Sequence, residues 1–153
     1  MSKIPIMMTT YERPEYFKRT IKSLEETGVY KLEIFDDSSK DKSKLALLRK
    51  YSVKYDVHYS KENKGTVLNT IPNIDYMFKK YDCDYLFVCQ DDILFSKNWY
   101  DAGIDMLGKA IDKNKNVAYL SLFNRKAKNV KDYYIMEYGH PGGPCIIINR
   151  KFW

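Results

Sequence analysis

The sequence predicts an α/β domain with a mostly parallel central sheet and helices on both faces. Short apolar runs alternate along the chain with stretches whose apolar residues recur at helical spacing. Strands that alternate with helices and lack a polar face belong in a parallel sheet covered on both sides. Polar clusters also close three of the apolar runs, where open sheets of this class bind ligands.

In chain order, Ile4 to Met8 reads as a first buried strand, followed by a loop from Thr9 to Arg13. Pro14 suits the first helical position, since its missing N–H would be unpaired there anyway. Phe17, Ile21 and Leu24 then follow at helical spacing, and Gly28 supplies the stop. Leu32 to Phe35 is a second strand running into Asp36-Asp37-Ser38-Ser39. A lysine-rich helix spans roughly Lys42 to Tyr51, with Leu45 and Leu48 inward. Val57 to Tyr59 is a weak third strand, and Asn63-Lys64-Gly65 is a turn. Val67, Ile71, Ile74 and Phe78 keep a helical period, with Pro72 either starting or kinking that helix.

Asp84 to Gln90 is the strongest strand signal, ending on Asp91-Asp92. Ser96 is placed to cap a helix whose inner face carries Trp99, Met106 and Ile111. Val117 to Leu122 and Tyr133 to Tyr138 read as further strands, the latter alternating with period two. Cys145 to Ile148 is a last buried one. The close on Arg150-Lys151-Phe152-Trp153, directly after it, leads us to expect the amino-terminal portion of a longer protein.

With 153 residues, the chain is long enough for one domain with a proper core. Its net charge is +6, but the lysines are spread out. The densest stretch, Lys40 to Lys50, alternates with acidic and apolar residues and reads as a solvated helix face. Nucleic-acid binding is therefore not expected. Cys83, Cys89 and Cys145 lack CxxC spacing, which argues against zinc and against a disulfide framework. No apolar run is long enough for a signal peptide or a membrane span, so a cytoplasmic setting is expected.

Asp91 and Asp92 alone are better explained by a turn than by a metal site, since aspartate is common in turns. The other strand ends shift the balance. Thr9-Thr10-Tyr11 closes the first strand and Asp36-Asp37-Ser38 the second; in a parallel sheet all three ends share one edge. Hard carboxylate oxygens there suit Mg²⁺ or Mn²⁺ carrying a diphosphate.

The ordered segments Ile6 to Pro14, Ile34 to Ser39, Glu62 to Gly65 and Phe87 to Asp92 resemble the nucleotide-sugar-binding half of a GT-A glycosyltransferase, most closely of family 2. The resemblance covers roughly the first two thirds of the chain. It implies a single GT-A domain over 1–153, with about 1–95 binding the donor and about 96–153 beginning an acceptor half. It implies transfer of a sugar, of hexosyl type, from a nucleoside-diphosphate donor, UDP- or GDP-linked, to a glycan, lipid or protein hydroxyl. Thr9 and Tyr11 would lie against the base, and Asp37 would accept from the base imide. Asp36 would order its loop. Asp91 would face the ribose, and Asp92 would hold Mn²⁺ or Mg²⁺ in a DXD-type motif. Arg13 and Lys64 are candidates for the phosphates or base; each is equally an ordinary surface residue.

The carboxyl-terminal third departs from that pattern. Inverting members place an Asp or Glu near the acceptor as general base, and Gly143 stands near that position here. His140, in a Gly/Pro-rich loop, and Glu137, on a strand, are the candidates left; a base beyond Trp153 is the third possibility. A sugar nucleotidyltransferase is disfavoured because residues 9–13 lack the glycine-rich triphosphate loop. A non-catalytic nucleotide-sugar-binding module stays open.

Overall fold

The computed structural model describes residues 3–28, 31–122 and 143–153. Strands β1 (Ile6–Thr10), β2 (Leu32–Asp36), β3 (Asp56–Tyr59), β4 (Tyr85–Gln90), β5 (Tyr119–Ser121) and β6 (Cys145–Asn149) form one sheet in the order β3-β2-β1-β4-β6-β5. The first four run parallel, whereas β6 pairs antiparallel with both β4 and β5. The helices are α1 (Pro14–Glu25), α2 (Lys42–Tyr51), α3 (Gly65–Tyr81) and α4 (Trp99–Lys113). None among the described residues is long and apolar enough to cross a membrane.

Strand alternation divides the core. Ile6, Met8, Ile34, Phe87 and Ile147 face α1, α2 and α4, packing on Phe17, Ile21, Leu24, Leu48, Trp99 and Leu107. Met7, Phe35, Leu86, Val88, Ile146 and Ile148 face α3, meeting Ile74, Met77 and Phe78. Helices therefore cover both sides, as the unbroken apolar runs require. Chain order reverses direction at β1, which lies between β2 and β4. The carboxyl ends of β1 and β4 thus flank a topological switch point, the usual crevice for a ligand.

Four expectations are corrected. The first strand runs on through Thr9 and Thr10, because both stay in the parallel ladder opposite Phe35 and Asp36; β-branched threonine suits such a strand. The helix after β4 starts at Trp99, with Asn98 rather than Ser96 at its N-cap and no capping side-chain bond. Its buried face is Trp99, Tyr100, Gly103, Leu107 and Ala110, while Met106 and Ile111 sit at the margin. A side chain at Gly103 would crowd Phe87 at 3.3 Å and Leu122 at 3.2 Å, so the glycine lets α4 approach the sheet. Pro72 does not start α3 but lies inside it, which excludes the first of the two readings. The hydroxyl of Thr70 and the amide of Asn73 bond carbonyls one turn back, at Thr66 and Asn69, within this Pro-interrupted stretch.

Finally, only the second half of the expected α3 stripe is inward. Ile74 and Phe78 are buried, but Val67 and Ile71 are exposed, since they lie off the buried face formed by Asn69, Ile74, Met77 and Phe78. The expected strand at Tyr133 to Tyr138 lies outside the described residues.

Candidate functional site

At the switch point the polar residues of four elements meet. Asp91, just past β4, is 1% exposed. Its Oδ2 accepts from the Thr10 hydroxyl of β1 and lies 3.1 Å from Lys44 Nζ of α2. Lys44 Nζ also donates to Thr10 Oγ1 and sits 3.7 Å from the centre of the Phe17 ring of α1. The other oxygen, Oδ1, accepts from Arg13 at 2.9 Å. Arg13 forks, its second nitrogen donating to Asp92 Oδ2 at 3.1 Å. Asp92 is the outward member of the pair, its side chain 31% exposed.

Local sequence builds this cluster. Thr20 of α1 donates to the carbonyls of Asp91 and Ile93, both at 2.8 Å, fixing the turn after β4 from below. Glu12 links two loops: its carboxylate accepts the backbone N–H groups of Lys40 and Asp41, and its own N–H donates to Ser39 Oγ. Glu12 and Arg13 are both left-handed, at φ 49° and 48°. Pro14 disfavours the right-handed helical region for Arg13, and the turn throws the guanidinium across onto the aspartates.

Lys44 is the residue that sequence reading missed. Its sequence neighbourhood places it on a solvated lysine face, yet it is fully buried. Burial pulls its pKa down from 10.5 to about 8, against the opposing pull of Asp91. The available signal was its spacing: Lys44 lies four residues before inward Leu48, on the same helix face.

Asp36 orders its own loop, accepting from Ser39 N–H at 2.9 Å and Ser39 Oγ at 2.5 Å. Asp37 accepts the backbone N–H of Lys64 at 2.9 Å and of Gly65 at 2.8 Å, at the start of α3. Gly65 adopts φ 76°, which only glycine tolerates readily. A carboxylate has about four acceptor positions, so with two taken Asp37 retains capacity for a further donor. Thr9 is buried in β1, on the sheet face opposite Thr10, while Tyr11 is 42% exposed just beyond. The Lys64 side chain lines a groove of about 370 Å³ with Phe35, His58, Tyr59, Asn69 and Asn73. A hollow of about 510 Å³ lies at the other end of β4, between Asp84 and Arg150, so size alone does not mark the site. His140 and Glu137 lie outside the described residues.

The donor set decides what ion could sit here. Among the described residues no three His, Cys, Asp or Glu side chains converge to hold a metal alone. Both oxygens of Asp91 already face cations, leaving Asp92 to offer a carboxylate oxygen toward solvent. That fits a hard divalent ion that takes one or two carboxylates and completes its shell with substrate phosphates and water.

Similar architecture occurs in solved structures. The mannosyltransferase PcManGT from Pyrobaculum calidifontis, in complex with GDP-Man and Mn²⁺, superposes with a TM-score of 0.67 at 12% identity, over 97% of this chain and 45% of that one. S. aureus TarS 1-349 gives 0.61 at 16% identity, over 96% and 47%; its complex with UDP-GlcNAc gives 0.55 at 19%, over 78% and 34%. The chain thus spans about half or less of those proteins. They establish the fold as the GT-A type of α/β sheet. A comparison with curated protein sequences finds no match. The switch-point cleft, its acidic pair and the sheet order all fall within residues 6–151, which match the family model described as "Glycosyl transferase family 2", and the chain belongs to that family.

Proposed function

We propose that this chain is the donor-binding part of a metal-dependent glycosyltransferase moving a sugar, of hexosyl type, from a nucleoside diphosphate to an acceptor hydroxyl. One observation carries the reading most: two adjacent carboxylates at the switch point are held in unequal environments, one buried among cations and one turned outward. Asp92 is the residue that would hold Mn²⁺ or Mg²⁺. Such an ion, when bound, neutralises charge on a departing diphosphate.

The chain's own groups supply the rest. Asp91, immobilised by Lys44, Thr10 and Arg13, is the candidate acceptor for a ribose hydroxyl. Tyr11 offers an exposed ring face for a base, with Thr9 beneath it in the strand. Asp37 holds the start of α3 and has capacity left for a base imide; Lys64 beside it brings a cation toward base or phosphates. Arg13 already spans the acidic pair and is placed to meet a phosphate. The ligands of the solved relatives, GDP-Man and UDP-GlcNAc, support a GDP- or UDP-sugar donor.

Residues to about 95 form the donor half in this reading, and those beyond begin the acceptor half, whose glycan, lipid or protein substrate is unassigned. His140 and Glu137 are the general-base candidates. The three free cysteines support a reducing, cytoplasmic setting. Titration calorimetry with UDP- and GDP-sugars, with and without Mn²⁺, tests the proposal. Binding should require the ion and be lost in Asp92→Asn without loss of fold. Tight, Mn²⁺-dependent binding that survives that change would remove Asp92 from its role. Slow donor hydrolysis by the wild type, absent in His140→Ala or Glu137→Gln, would separate a transferase from a binding module.

A further inference from the structure

We propose that Lys44 is a positioning residue that sets the unequal roles of the acidic pair: it holds Asp91 inward, away from any divalent ion, and so leaves that ion to Asp92. This rests on the reading of Asp92 given above. The geometry supplies the argument. Lys44 leaves solvent entirely, a rare state for lysine unless paired. Its ammonium has three donors; it bonds Thr10 and Asp91 and lies against the Phe17 ring. It thereby ties α2 to β1, β4 and α1 at one point.

A structural role alone accounts poorly for this arrangement. A buried ion pair is weak evidence for stability, because apolar residues of similar volume do as well or better. The neighbouring inward positions on α2 are Leu45 and Leu48, so an apolar residue suits this face. What the ammonium adds is a fixed positive charge behind Asp91. With Lys44 on Oδ2 and Arg13 on Oδ1, Asp91 faces two cations, whereas among the described residues Asp92 faces Arg13 alone. A divalent ion approaching Asp91 meets repulsion that it escapes at Asp92.

The test is a Mn²⁺ titration of the whole chain without nucleotide, reading free Mn²⁺ by electron paramagnetic resonance. Lys44→Met should bind Mn²⁺ on the order of ten-fold more tightly than wild type, because Asp91 becomes a ligand. The gain should vanish in Lys44→Met/Asp91→Asn. A merely structural lysine would weaken ion binding on removal, not strengthen it. Circular dichroism checks the fold; if Lys44→Met does not fold, Lys44→Gln, neutral but still a donor, is read in the same way. Unchanged or weaker Mn²⁺ binding by the folded variant overturns the proposal, as does a gain that persists in the double variant. UDP and GDP are titrated separately: failure of wild type to bind either with Mn²⁺ sinks the transferase reading, while the nucleotide-free comparison still decides the role of Lys44.

Discussion

Two buried carboxylates in this fold each take a lysine, and the contrast between them separates a site from a staple. Asp91 sits at the carboxyl edge of the sheet with a lysine that is itself fully buried. Glu33, inside β2 and equally buried, faces the α3 side. Its Oε1 lies 2.6 Å from Lys80 Nζ and accepts from Tyr81 at 2.5 Å, while Oε2 lies 2.6 Å from His58 Nε2. Lys80 stays one third exposed and also reaches surface Asp56 at 2.8 Å. The Glu33 group therefore stitches β2 and β3 to the end of α3 with every partner near water. The Asp91 group instead hides its counter-ion and opens toward the cleft through Arg13. The two lysines answer accordingly: partner carboxylates push the pKa of Lys80 up, whereas burial pulls that of Lys44 down.

The largest break in that contrast should come from Asp91→Ala. It strands a buried ammonium, and urea melts should show a loss of about 3–5 kcal/mol. Lys44→Met/Asp91→Asn removes both charges and should melt near wild type or above it. Glu33→Gln leaves partners that can turn to water; it should cost about 1–3 kcal/mol and leave nucleotide binding intact. Loss of nucleotide binding there would mean that the staple is also part of the site.

A smaller effect is expected with pH. The folded chain releases the Lys44 proton near pH 8, while the unfolded chain holds it to about 10.5. Between those values the unfolded state binds more protons, so this group makes stability rise with pH, by at most about 1.4 kcal/mol per unit. Lys44→Met should lower the slope of stability against pH in that window by the same amount. The least effect should be seen among the thiols. Cys83 is half-buried, whereas Cys89 and Cys145 are buried, and burial raises the pKa of all three thiols. A maleimide should label Cys83 first in the native chain, and equal labelling rates would contradict the core described here.

Much of this was legible in the sequence, and the failures have physical causes. Unbroken apolar runs marked β1, β2, β4 and β6, and Pro14 opens α1 as expected. That Asp91 shares one sheet edge with the ends of β1 and β2 followed from the parallel sheet, in which β1 lies between β2 and β4. Residue type misled where a partner overrode it. Lys44 is a charge at an inward position, and its burial depends on a carboxylate dozens of residues away. Val67 and Ile71 kept a helical period but lie off the face of α3 that is buried, which runs through Asn69, Ile74, Met77 and Phe78. Thr9 and Thr10 looked like loop because they are polar, yet the ladder holds both.

The left-handed pair Glu12 and Arg13 has a further consequence for anyone seeking a hardier variant. Each non-glycine residue held there carries roughly 1–2 kcal/mol of backbone strain. Glycine at position 12 would delete the carboxylate that ties two loops together, but at position 13 it would relax the chain, and a screen for thermal resistance would favour that change. At position 13 it would also delete the guanidinium that bridges the acidic pair. Selection for heat tolerance and selection for activity should therefore pull this one turn in opposite directions.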